Sequence, residues 1–320
     1  MSGFSAYFKQ GGGEAEAVSL RASLELHGFQ ADLYGPNVIE LEGYDFVIFF
    51  SCHPSGMELL QACIDLSIKF LFWPNFWMES GRLPSPEERN LINKYCKHSA
   101  KTIIKSNVEL ELFQKHFDLN NQNILRINWF VDADFAGPAD ASRFKELYGV
   151  NDYILSVGLI EPIKNQMALI KAVRLAGKKL VLIGGFREKD YFDACRIESA
   201  GEVVFIPHLP ANSPILKAAY AGCTSYAEVS FDPPGRSSLE AAFYGRPLVL
   251  SLSDWAKEIF HDRALLVPPT SVDEIQRALS VATASAIRRD RMDSIFCNRH
   301  IPDSALGNLY KYLKSAKGAW

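Results

Sequence analysis

Asp232-Pro233-Pro234-Gly235-Arg236-Ser237-Ser238-Leu239-Glu240-Ala241-Ala242-Phe243-Tyr244-Gly245-Arg246-Pro247 lies between two segments of strand length, residues 224–229 and 248–250. The stretch reads as strand, loop, helix (237–244) and strand, the repeating unit of a parallel α/β sheet. Gly235 lets the backbone approach a ligand closely. The amides around Arg236, Ser237 and Ser238 are uncapped donors at a helix N-terminus, a ready anion site. Glu240, one turn in, can accept hydrogen bonds from sugar or ribose hydroxyls. The plainer alternative makes Asp232 a helix cap and Glu240 a surface residue.

The same alternation extends in both directions. Downstream come a strand at 265–267 and a helix at 272–284. Upstream come strands at 153–157, 180–183 and 203–206, with helices at 166–175, 191–200 and 213–221. The last helix, 303–315, places Leu306, Leu309, Tyr310 and Leu313 on one side. The first half repeats the plan, with strands at 5–8, 31–34, 46–50, 69–73, 102–105 and 124–127. Its helices are read at 14–27, 57–67, 87–98 and 108–117, with Gly28 as a helix stop. Residues 134–140, containing Gly137 and Pro138, read as a linker. The expected layout is a domain at 1–140, a second at 150–300 and a C-terminal helix at 303–320.

A chain of 320 residues fits two such domains. With 48% hydrophobic and 22% charged residues it is neither disordered nor fibrous. A formal net charge of −3 argues against a nucleic-acid binder. The first 140 residues hold 18 acidic and 11 basic side chains and the remainder 19 and 23, so a phosphate-bearing ligand suits the second half better. Six scattered cysteines without a CxxC pair read as reduced thiols of a cytosolic protein, with no metal site. No signal peptide and no apolar run of membrane-spanning length is visible.

The opening stretch resembles the E-x7-E motif of the retaining family 4 glycosyltransferases, with Gly235, Leu239, Glu240, Ala241, Gly245 and Pro247 in register. The first Glu of that motif is Asp232 here, one methylene shorter. Val157-Gly158-Leu159-Ile160-Glu161-Pro162-Ile163-Lys164-Asn165 resembles the family's V-G-x-x-x-P-R-K-N segment. Lys164 stands where the resemblance places a cation for the leaving diphosphate. The usual partner Arg is missing, with Leu159 and Ile163 at its two common places, and Arg236 is a candidate substitute. The turn at Ile183-Gly184-Gly185 and the segment at 204–209, which includes His208, resemble the family's second glycine turn and nucleobase region.

The first half matches less. Gly11-Gly12-Gly13-Glu14 resembles the G-G-x-E loop that lies against diphosphate or acceptor; a flexible turn is the alternative. Asn128-Trp129-Phe130-Val131-Asp132 resembles N-G-V-D before the interdomain linker. Asp132-Ala133-Asp134 spells DxD, but at the linker it is not read as a metal motif. His53 follows a strand and either faces the cleft or is an ordinary loop residue. Where the family often has a strand-end His, this chain has Trp73-Pro74-Asn75-Phe76-Trp77. Those side chains line an acceptor site or pack in the interior. Lys311, Lys314, Lys317 and Trp320 form either a solvated face or a weak peripheral membrane contact.

The resemblance implies the α/β GT-B fold: two Rossmann-like domains facing across a cleft, with the last helix crossing back to the first. It implies a retaining, metal-independent hexosyltransferase moving a sugar from a nucleotide-diphosphate sugar to a glycan or lipid-linked acceptor, in bacterial surface polysaccharide or lipopolysaccharide synthesis. Expected catalytic residues are Lys164, Asp232, Glu240 and His53. Gly12, Gly13, Gly158, Lys164, Gly235, Arg236, Ser237, Ser238 and Glu240 would bind the donor. Trp73, Asn75, Phe76 and Trp77 would face the acceptor. No cofactor beyond the donor substrate is expected, and the setting is cytoplasmic, at the inner membrane face if peripheral. The alternatives are a non-catalytic sugar-nucleotide or glycan-binding protein and a sugar-nucleotide epimerase.

Overall fold

The computed structural model describes residues 12–35, 40–78, 82–284 and 294–316. The expected strand at 5–8, Gly11, Lys317 and Trp320 lie outside them. Two compact units form, Met1–Trp129 with Pro302–Trp320, and Phe130–Ile301.

Among the described residues the first unit holds four parallel strands in sequential order: β1 (Val47–Phe50), β2 (Phe70–Trp73), β3 (Lys101–Ile104) and β4 (Ile124–Arg126). Helices α1 (Gly12–Leu26), α2 (Met57–Asp65), α3 (Pro86–His98) and α4 (Asn107–His116) accompany them. Local chemistry sets their ends. Ser85 and Glu88 form a reciprocal capping box with Pro86 in the first turn of α3. Gly28, at φ +82°, ends α1, with the Phe29 amide donating to Leu24 O at 3.1 Å. Residues 31–34 correct the sequence reading: they are irregular and partly exposed and pair with no described strand. Phe49, Phe72, Tyr95, Ile104 and Phe113 form the unit's core.

Helix α4 begins on a buried carboxylate. Glu109 is 1% exposed, its Oε2 accepts from the Lys105 amide at 2.6 Å, and its own amide donates to Ser106 Oγ. Burial raises its pKa against the opposing pull of Lys105.

The second unit is a six-stranded parallel sheet. Its strands are β5 (Tyr153–Val157), β6 (Lys179–Ile183), β7 (Val203–Ile206), β8 (Ser225–Glu228), β9 (Leu248–Ser251) and β10 (Ala264–Val267). They lie in the order β10-β9-β8-β5-β6-β7. This is the doubly wound arrangement, and its order reverses between β5 and β8; in such sheets ligands bind outside the carboxyl ends of the strands at that point. The helices are α5 (Ala141–Tyr148), α6 (Gln166–Leu175), α7 (Lys189–Glu198), α8 (Pro214–Gly222), α9 (Arg236–Phe243), α10 (Asp254–Phe260), α11 (Val272–Thr283) and α12 (Ser294–Arg299). The core gathers Ile154, Leu169, Ile170, Leu182, Val249 and Leu279. Gly184 is required by packing, because a Cβ there would stand 1.9 Å from Gly158 O.

The expected last helix is two, α13 (Pro302–Ala305) and α14 (Gly307–Ala316), both within the first unit. Leu306, Leu309, Tyr310 and Leu313 are all buried. Tyr310 stacks on His27 at 3.8 Å, and its hydroxyl lies 2.6 Å from Ser23 Oγ. Lys311 and Lys314 are exposed. Among the described residues, no helix is long and apolar enough to cross a membrane.

Candidate active site

The ends of β5 and β8, adjacent at the switch point, carry the charged residues singled out in the sequence. After β5 the chain makes a short 3-10 turn, Pro162–Lys164, and Asn165 takes a left-handed conformation, φ +55°. Asn tolerates that backbone better than most residues. Its buried amide donates to Val229 O at 3.0 Å and Pro269 O at 2.8 Å. The Phe231 amide donates to Ile163 O at 2.8 Å. These ties hold the two loops together and put Lys164 beside Asp232.

Two charge clusters result. Lys164 Nζ lies 2.7 Å from Asp232 Oδ2 and 3.4 Å from Glu228 Oε1. Burial works against the ammonium, but the two carboxylates outweigh it and its pKa rises. Arg236 bridges Glu240 Oε1 at 2.9 Å and Asp132 Oδ2 at 2.7 Å, and Tyr220 donates its hydroxyl to Glu240 Oε2 at 2.9 Å. Glu240 is therefore buried rather than on the surface, and desolvation raises its pKa in spite of Arg236. Asp132 also accepts from Asn212 Nδ2.

One carboxylate oxygen in this set is unspent. Asp232 Oδ1 is buried and takes no hydrogen bond within the described residues. Such atoms are rare because they forfeit solvation without compensation, and a ligand hydroxyl would satisfy this one. Gly235 precedes α9 without a side-chain cap. Its amide and the hydroxyls of Ser237 and Ser238 all reach Glu228.

Lys164, Asp232, Gly235, Arg236, Ser237, Ser238 and Glu240 thus come together, and Gly158 stands at the end of β5 with φ +154°. Sequence reasoning missed Glu228 and the part played by Asp132. The available signal for Glu228 was a carboxylate inside an otherwise buried strand. His208 is exposed in the loop after β7.

The remaining candidates belong to the first unit. Gly12 and Gly13 open α1. His53 is exposed, and its Nδ1 accepts from the Ser55 amide at 3.2 Å, capping its own turn. Trp73 has 0% exposure and packs on Phe50, so its ring is interior rather than an open stacking face. Phe76 packs edge-on against Phe113 and Phe117, and Trp77 is half-buried. Asn75, at φ +43°, accepts from Lys105 Nζ and donates to Glu16 Oε2 at 3.2 Å. Lys105 Nζ also lies 3.7 Å from the Trp129 ring centroid. No group of three metal-ligating side chains occurs among the described residues.

Residues 139–295 match the family model for glycosyl transferases group 1. No curated protein matches the sequence significantly. Among solved structures, HepE of Anabaena in complex with UDP and glucose has a TM-score of 0.75 at 16% identity, covering 98% of this chain and 83% of its own. A glycosyltransferase of Rickettsia africae gives 0.72 at 13%, covering 97% and 96%. Sucrose-phosphate synthase of Thermosynechococcus elongatus gives 0.70 at 15%, covering 86% and 75%. At these identities the structural likeness shows the fold, and the family match covers the unit that bears the charge clusters. The chain has the GT-B fold, and its residues 139–295 match the domain of glycosyl transferases group 1.

Proposed function

We propose that the protein is a retaining glycosyltransferase that takes its sugar from a UDP-sugar and delivers it to a glycan or lipid-linked acceptor. The observation that carries this reading is the unspent Asp232 Oδ1 beside Lys164, at the switch point of a doubly wound sheet. Asp232 would accept from a hydroxyl of the donor sugar, and Glu240 from the ribose. Lys164, with the donors at Gly235, Ser237 and Ser238, would stabilise charge on the departing diphosphate. The bond from the anomeric carbon to the phosphate oxygen breaks with its electron pair going to phosphate. The acceptor oxygen bonds to that carbon on the same face, and its proton passes to a phosphate oxygen, so no protein nucleophile is needed.

UDP is the first nucleotide to try because the HepE structures contain UDP and UDP-glucose. The acceptor class and a place in surface polysaccharide synthesis rest on the motif resemblance. A thermal-shift panel of UDP-, GDP-, ADP- and dTDP-sugars tests the donor reading. A ligand at 100 times its Kd stabilises by about 2.7 kcal/mol. A UDP-sugar should shift unfolding most and release UDP on incubation with acceptor glycans.

One observation favours the non-catalytic alternative: Lys164 and Arg236 are both already paired with carboxylates. Donor binding without transfer or hydrolysis would select it.

A further inference from the structure

Glu228 ends β8 with 7% exposure, and its carboxylate is a meeting point for donors from three places in the chain. Ser238 Oγ donates at 2.5 Å, the Gly235 amide at 3.3 Å, Ser237 Oγ at 3.4 Å, Lys164 Nζ at 3.4 Å and the Tyr226 hydroxyl at 3.3 Å. Charge-assisted bonds to a well-fitted carboxylate are shorter, about 2.7–2.9 Å for a nitrogen donor. Only the Ser238 contact is tight. The ring of donors is wider than the two oxygens it holds, and a phosphoryl group, with three oxygens, would span it better.

Lys164 Nζ, the Gly235 amide and the hydroxyls of Ser237 and Ser238 are also the groups assigned above to the diphosphate. Among the described residues, Lys164 pairs with Glu228 and Asp232, and Arg236 with Asp132 and Glu240. Of these carboxylates, Glu228 is the one that spends the donors an incoming diphosphate needs. We propose that Glu228 is a built-in occupant of the diphosphate subsite, which the donor's diphosphate must displace, so that this side chain sets the affinity threshold for nucleotide-sugar. The inference rests on the donor reading of this site. The apparent affinity of the parent is the intrinsic affinity reduced by the fraction of molecules in which Glu228 has left.

Glu228→Gln keeps the volume and one acceptor but removes the charge, and Glu228→Ala removes the occupant. Inorganic pyrophosphate, UMP and UDP-glucose are titrated calorimetrically into the parent and both variants, with thermal unfolding as the check on folding. Pyrophosphate should bind at least 10-fold more tightly to the variants, with UMP affinity changed less. Equal, weaker or undetectable pyrophosphate binding by a folded variant overturns the proposal. If that occurs while UDP-glucose still binds, the donor reading survives alone. If pyrophosphate binding improves and no protein binds UMP or UDP-glucose, the occupant stands and the donor reading fails. A structure of the parent with pyrophosphate decides independently of variant folding: Glu228 still bonded to Gly235 and Ser238 beside the bound anion would overturn the displacement.

Discussion

Lys164 and Asp232 meet at 2.7 Å across the neighbouring ends of two parallel strands, and the contact uses only one oxygen of the carboxylate. The other, Oδ1, is buried and accepts nothing from the described residues. The ammonium fixes the carboxylate of Asp232 in direction. A fixed acceptor suits recognition of a sugar hydroxyl, because its orientation cost is met before the ligand arrives.

Lys164→Ala should lower turnover about 10²–10³-fold, the scale of removing one donor that stabilises developing charge. It should also destabilise the second unit, because Glu228 and Asp232 are left facing each other. The loss should fall toward the lower end of the roughly 3–5 kcal/mol seen on breaking buried pairs, since the Lys164 side chain is still 21% exposed. Steady-state kinetics at saturating donor together with chemical denaturation measure both. Unchanged turnover in a folded variant removes Lys164 from the chemistry.

The second unit is the more legible half of the molecule because most of its strands are short apolar runs closed by a turn signal. Lys164, Asp232, Gly235 and Glu240 are readable because each sits at a fixed distance from such a turn. Glu228 is not: Tyr226, Gly235, Ser237 and Ser238 lie within ten residues of it, but Lys164 stands 64 residues upstream, and only the adjacency of β5 and β8 brings it in. Arg236 is visible as a cation at a helix start, but nothing local reveals that Asp132, 104 residues earlier, takes one of its nitrogens. In the first unit, the aromatic run at Trp73–Trp77 has no periodicity to separate an interior ring from an open one. Burial decides it, placing Trp73 in the interior and Phe76 against Phe113.

Activity should survive EDTA. Asp132, the first acid of the DxD spelling, is held by Arg236 at 2.7 Å and by Asn212, so its carboxylate is committed to internal donors. Asp134 is exposed two residues away. Transfer assays with and without chelator decide the matter. Complete loss of activity on chelation, restored by magnesium or manganese, would return these two residues to metal binding.

Glu109 makes stability depend on pH. Its folded pKa is raised by burial above the ordinary 4.5. Its contribution is therefore fully present below that value and is lost as pH rises through the folded pKa, where the buried carboxyl must ionise. Glu109→Gln cannot ionise and escapes this loss. The variant's melting temperature relative to the parent's should climb as pH is raised from 4 to 7. A difference that stays flat over that range would mean that Lys105 fully compensates the charge.

Asp232 and Glu240 should have separable tasks, and this is the most direct test of the site. Glu240 is anchored by Arg236 and Tyr220, so Glu240→Gln keeps the shape while weakening the charge-assisted bonds proposed to the ribose. Such bonds are worth roughly 1.5–3 kcal/mol, so UMP and UDP-glucose should both bind about 10–100-fold more weakly. If the unspent oxygen of Asp232 receives the sugar as proposed, Asp232→Asn should bind UMP like the parent and lose affinity or turnover only with UDP-glucose. Asp232→Glu restores the residue common in the family and lengthens the reach by one methylene. It should raise activity if the loop yields, and lower it if Pro233 and Pro234 hold the loop to the shorter side chain. Calorimetry of the three variants with both ligands separates these effects. If both neutral variants bind both ligands like the parent, the carboxylate pair is structural, and the donor contacts lie elsewhere at the strand ends.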